Sequence, residues 1–143
     1  MPTTFTNNFK NILDKLKSVF RSEFKGSLPT YIGKDEPQGT QYIRLIPIGS
    51  VLSRYNASSE LREYSINFLL TFKDANTTER GLDQVLRLIS RIESLVMDNV
   101  SMTLSDSTNA INCRMESTDI TELPETGYNV FFVYKCQHMG NIS

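Results

Sequence analysis

The chain is poor in the groups from which active sites are built. Its 143 residues include one histidine, His138, and two cysteines, Cys113 and Cys136. The histidine falls where a loose C-terminal tail, 138–143, is expected, and a lone histidine there is ordinarily solvated rather than a general base. Neither cysteine has a CxxC partner or a nearby histidine, so no metal-ligand set is expected. The seven glycines occur singly at turn-like positions. No phosphate-cradling GxxxxGK[ST], no GxGxxG and no GxSxG elbow can be read. Charge of one sign is also lacking: 15 basic against 16 acidic side chains leave a net charge of −1. A nucleic-acid binder needs a basic face to displace counterions, so that class is disfavoured. No apolar run approaches the roughly 20 residues that span a bilayer. The opening Met1-Pro2-Thr3-Thr4 lacks the basic and apolar regions of a secretory signal. The expectation is therefore one soluble, intracellular-type domain, 1–143, with reduced thiols, no membrane and no nucleic-acid specificity.

The carboxylates do not repair this poverty. Asp35-Glu36 and Glu122/Glu125 lie in turn-like segments, where solvation keeps carboxylates ordinary. Glu116, Asp119 and Glu122 are spaced so that they cannot all share a strand face. Catalysis is not expected, nor a cofactor or a metal. The four Asn-X-Ser/Thr triplets, at Asn56, Asn76, Asn99 and Asn141, are read as composition alone.

What the sequence does contain is pattern. Phe9, Ile12, Leu13, Leu16, Val19, Phe20 and Phe24 recur at three- and four-residue steps, which predicts a helix over 7–24. Thr6 or Asn7 would cap its start and Gly26 its end. Its basic back could suggest a membrane surface or a calmodulin-type partner, but core packing explains the same stripe. Residues 33–39 read as a polar turn and 41–48 as a strand, with Pro47 marking its exit. Residues 49–62 read as a long polar connection. A longer strand, 63–73, alternates Tyr64, Ile66, Phe68, Leu70 and Phe72 with mostly polar neighbours.

Asn76-Thr77-Thr78-Glu79 has capping-box spacing and opens a second helix to residue 98. Leu88 and Leu95 widen its apolar arc, suggesting contact with more than its own sheet. A short strand at 100–104 follows, then strands at 111–121 and 128–136 around a turn at Pro124-Glu125. Cys113 and Cys136 each lie eleven positions from that turn, which sets them opposite one another. A disulfide is conceivable, but burial of two free thiols is favoured. Val130, Phe132 and Tyr134 face one way and Phe131 and Val133 the other, so this last strand needs cover on both faces. The fold predicted is α+β, a mainly antiparallel sheet of about five or six strands with two helices packed on one face.

Function then has to lie on the surface. The 49–62 connection carries Arg54, Tyr55, Glu60 and Arg62, and Tyr and Arg are the types that anchor interfaces. A connection of that length is commonly functional, although a floppy hairpin tip reads the same. With Phe131 and Val133, these four residues form the candidate partner-binding set. Residues 1–45 hold seven basic and four acidic side chains, and 101–143 hold two and five, so the chain is polarised +3 to −3. Such polarity suits head-to-tail docking of copies, and small domains also show it by chance.

In the order of its elements the chain resembles the tail-terminator, or tail-completion, proteins of long-tailed bacteriophages. The likeness runs through the helix 7–24, the Tyr42-Ile43-Arg44-Leu45-Ile46-Pro47 strand, the polar loop after it, the long strand 63–73, the helix 77–98 and the closing pair of strands. It spans nearly the whole chain, with no catalytic signature to match. The resemblance implies a virion protein of the tail or neck, assembled in the host cytoplasm. It also implies a homo-hexameric ring that caps the tail tube, stops its elongation and joins it to head–tail connector or neck proteins, and to a sheath protein if the tail is contractile. Two other readings stay open: another neck or head-completion component, and a small dimeric α+β ligand-binding domain or enzyme.

Overall fold

The computed structural model describes residues 7–33, 41–55, 59–73, 79–122 and 127–141. Its elements are α1 (Asn8–Phe24), β1 (Thr30–Ile32), β2 (Gln41–Tyr55), β3 (Ser59–Lys73), α2 (Glu79–Asp98), β4 (Met102–Thr103), β5 (Asn109–Glu122) and β6 (Gly127–Asn141). The six strands form one sheet in the order β1-β2-β3-β6-β5-β4. All neighbouring pairs are antiparallel except β1 with β2. The α+β expectation is met, with this one parallel pair as the departure.

Helix α1 forms where its apolar spacing predicts. The Asn7 side chain accepts a hydrogen bond from Lys10 N at 3.1 Å, closing the first turn. Lys25, at φ 50°, turns the chain out of the helix ahead of Gly26. The capping box proposed for α2 and the turn at Pro124-Glu125 lie outside the described residues. So does most of the polar turn proposed at 33–39.

One hydrophobic core lies between the helices and one face of the sheet. Ile12, Leu16 and Phe20 of α1 and Val85, Ile89 and Ile92 of α2 meet Ile66, Phe68, Val130 and Phe132. Phe20 stands edge-on to Phe68 at 5.4 Å between ring centres, and Phe68 stacks on Tyr134 at 4.9 Å. The even-numbered residues of β6 face the helices, as the alternation of 128–136 requires. Gly127 opens this strand at φ 123°, and a Cβ there would overlap the Phe72 carbonyl. Only glycine fits that start.

Three expectations are corrected. The 49–62 segment is not a loop: β2 continues to Tyr55 and β3 starts at Ser59, so most of it is paired strand. The strand 128–136 does not give way to a tail at Gln137; β6 runs to Asn141, with residues 137–141 paired to Ser59–Glu63 of β3. The strand expected at 100–104 narrows to Met102–Thr103.

Candidate interaction surface

The longest strands of the sheet outrun its core. Beyond Pro47, β2 leaves the shelter of the helices, and its exposed side chains include Ile48, Val51, Leu52 and Tyr55. Val51 is 67% exposed and Tyr55 70%. Backbone pairing holds this arm together: Val51 lies opposite Glu63, Leu52 opposite Arg62 and Tyr55 opposite Glu60. Two register shifts, between Pro47 and Gly49 and between Leu52 and Arg54, increase the local twist. Arg62 donates to Glu60 of its own strand at 3.4 Å and, across the arm, to Ser50 of β2 at 3.3 Å. Four exposed apolar side chains on a paired strand are unusual where nothing else covers them.

The six candidate residues separate into two places. Arg54, Tyr55, Glu60 and Arg62 share the β2–β3 arm. Phe131 and Val133 lie mid-sheet on the face away from the helices, opposite Leu69 and Asn67 of β3. From Arg62, which pairs with His138, to Phe131 is seven residues of strand, about 23 Å. They do not form one patch. Phe131 is 40% exposed and Val133 half-buried.

Between these places the open face carries an ionic network that sequence reading missed. Glu63 accepts from Arg114 at 2.9 Å and lies 4.0 Å from Lys135, while Glu116 lies 3.1 Å from Arg114 and 3.9 Å from Lys135. The signal was register: Lys135 and Arg114 are direct cross-strand partners. Two like charges placed opposite one another demand acids between them.

His138 is buried, contrary to expectation. Thr108 donates its hydroxyl proton to Asp106 at 2.6 Å and so accepts from His138 Nε2 at 2.8 Å. The Tyr64 ring stands edge-on to the imidazole. Burial lowers the His138 pKa below its ordinary 6.5, opposed by the charges of Asp106 and Glu60. In this chain of groups the hydroxyl proton points to the carboxylate, away from the base, so Thr108 is not activated as a nucleophile. The arrangement ties the 105–108 turn to the end of β6.

Cys113 and Cys136 are buried free thiols, as the favoured reading had it. A hydrogen bond between them, together with burial, pushes the Cys136 thiol up. Among the described residues no three His, Cys, Asp or Glu side chains group to hold a metal, and no helix is long and apolar enough to cross a membrane. The cleft of about 280 Å³ between α2 and the sheet, lined by Gln41, Phe72, Gln84, Arg87, Leu88 and Arg91, gathers two cations and no base.

No family model matches the sequence, and no curated protein matches it either. Solved structures do match in fold. A chain from the virion of a native gene transfer agent particle superposes with a TM-score of 0.61 at 9% identity, over 95% of this chain and 100% of that one. A second solved chain, whose name states no role, superposes with a TM-score of 0.55 at 13% identity, over 96% and 97%. The protein shares its fold, over nearly its whole length, with a chain of that gene transfer agent virion.

Proposed function

We propose that the chain is a structural virion protein of a phage-type particle and, within it, the ring-forming tail terminator. The observation that carries this reading is the end-to-end likeness to a chain of the gene transfer agent virion. The surface agrees in kind, because four exposed apolar side chains, Ile48, Val51, Leu52 and Tyr55, stand on one strand arm rather than around a pocket. In this reading copies of the chain close into a six-membered ring on the last ring of the tail tube. One face of the ring meets the tube protein and the other the neck of the filled head, with sheath protein alongside if the tail contracts.

Light scattering of the purified chain over a wide concentration range, with negative-stain images of the same samples, tests the reading. A hollow ring, or a monomer that becomes one on concentration, is the expected result. A closed, concentration-independent dimer without a hole would overturn it.

A further inference from the structure

Among the described residues, the sheet has two long edges that no strand pairs. Among the described residues no strand pairs with the outer edge of β2 beyond Leu45, where β1 ends. None pairs with the outer edge of β5 beyond Cys113, whose N–H donates to the Val100 carbonyl at 3.0 Å. The free stretches are 46–55 on β2 and 114–122 on β5, of nearly equal length. Chains that stay monomeric guard such edges with charge, proline or brevity. Here the free stretch of β2 carries Pro47, Arg54 and two bulges, yet it also exposes Ile48, Val51, Leu52 and Tyr55, an apolar load that those guards leave uncovered.

We infer that the β5 edge of one copy pairs with the β2 arm of the next, so that the sheet runs unbroken from copy to copy; this rests on the ring reading above and specifies its contact. Direction permits it. Successive antiparallel pairing from β2 through β3 and β6 to β5 leaves β5 antiparallel to β2, so a neighbour in the same orientation adds an antiparallel strand. Chemistry permits it too. The stretch 46–55 carries Arg54 and no acid, while 114–122 carries Glu116, Asp119 and Glu122 against Arg114. Laid antiparallel, 46–55 on 114–122, the stretches bring Ser50, which faces the helices opposite Tyr64, level with Thr118, which faces them opposite Phe132; Arg54, on the open face opposite Leu61, falls at the Arg114–Glu116 end. On the other face, Leu52 and Tyr55 would meet an apolar shelf beside β5. Thr118 donates to Glu93 of α2 at 3.4 Å, and Leu86 and Met97 share the Glu93 side of that helix, seven and four residues away. Ile120 completes the shelf.

The strands that end each free stretch also set the geometry. Within one copy Ile46 is level with Asn67, Val133 and Ser117. Pairing 46–55 with 114–122 therefore displaces each copy by about five residues, roughly 16 Å, along the strands. Each copy contributes four full strands, β2, β3, β6 and β5, about 19 Å across. That stagger tilts the strands by about 40°, inside the 35–45° at which sheets close into barrels. The interface is heterologous, the kind that closes into a ring.

The test uses the full chain and three variants, Ser50→Cys, Thr118→Cys and the double S50C/T118C, with oxidised glutathione as the oxidant, non-reducing gels, light scattering, and circular dichroism as a folding control. The double variant should give a ladder of disulfide-linked copies, and neither single variant should, because only the double places a cysteine on both sides of every interface. Hydrogen exchange on the wild type should show amides within both 46–55 and 114–122 slowing on assembly. A double variant that forms rings without linked copies, single variants that link as well as the double, or wild-type amides unchanged on assembly overturn the edge pairing and leave the ring role standing. A wild-type chain that stays monomeric at every concentration overturns both.

Discussion

Nε2 of His138 lies 2.8 Å from the Thr108 hydroxyl, and that contact seals the end of β6 against the turn after β4. His138 is the only histidine in the chain, so its titration can be isolated. Burial depresses its folded-state pKa below 6.5. The unfolded chain therefore takes up the proton first, and the stability present above pH 6.5 is lost as pH falls toward the depressed value. Thermal melts should show a falling midpoint between pH 7 and pH 5, and His138→Gln should flatten that slope. Equal slopes in the two proteins would show the imidazole to be as free to protonate as in the unfolded chain. Thr108→Val, which strands the imidazole N–H, should cost about 1–3 kcal/mol at pH 7.

The Glu63 network predicts a salt-dependent variant. Glu63→Gln leaves Arg114 and Lys135 facing each other with only Glu116 between them. The groups are a quarter to two-fifths exposed, so the loss should be modest, about 0.5–1 kcal/mol in urea melts at low salt. It should shrink toward zero in about 1 M salt, where the Debye length is near 3 Å. A loss that is the same at both salt concentrations would mean that packing, not charge, is what Glu63 supplies.

Much of this architecture is legible in the sequence, and the misreadings share one origin. Phe9 through Phe24 and Tyr64 through Phe72 announce a helix and a strand because their apolar faces press on the core. The β2–β3 arm and the end of β6 read as loop and tail because no alternating apolar pattern marks them: the outer arm is exposed, and the buried positions at the end of β6 are His138 and Gly140. Gly49 and Ser50 are strand residues through pairing alone. The two errors are neighbours in space: Arg62 of the supposed loop pairs with His138 of the supposed tail. Each segment is a strand because the other is, a long-range relation that local periodicity cannot carry. The candidate surface was found by residue type, which picks out Arg54 and Tyr55 but not Val51 and Leu52. The ionic network was invisible until register set Lys135 against Arg114.

If the arm is a contact surface rather than part of the fold, it should tolerate truncation. Arg54 and Tyr55 are exposed and lie past the hydrophobic core. Arg54→Ala with Tyr55→Ala should shift urea-measured stability by no more than about 0.5 kcal/mol each. The same double variant should weaken ring or tube assembly, read by sedimentation. Unchanged assembly would sink the role assigned to these two side chains, and a large loss of stability would return them to the fold.

Gly127 offers the complementary case, a position that serves the fold and no partner. Its φ of 123° is a conformation that side-chain-bearing residues rarely adopt, and a Cβ there would run into the Phe72 carbonyl and the Lys73 backbone. These are backbone atoms of the paired strand β3, so nothing flexible can move aside. Gly127→Ala should therefore destabilise by about 2–4 kcal/mol, strain and displacement of the first β3–β6 pair together. Since the Phe72–Tyr128 pair lies at the opposite end of β3 from the Ser59–Glu63 pairing, hydrogen exchange should rise first at Phe72 and Tyr128 while Leu61 and Met139 stay protected. Uniform loss along the whole of β6 would mean that the strand opens as one unit and that its arm does not hold independently of the core.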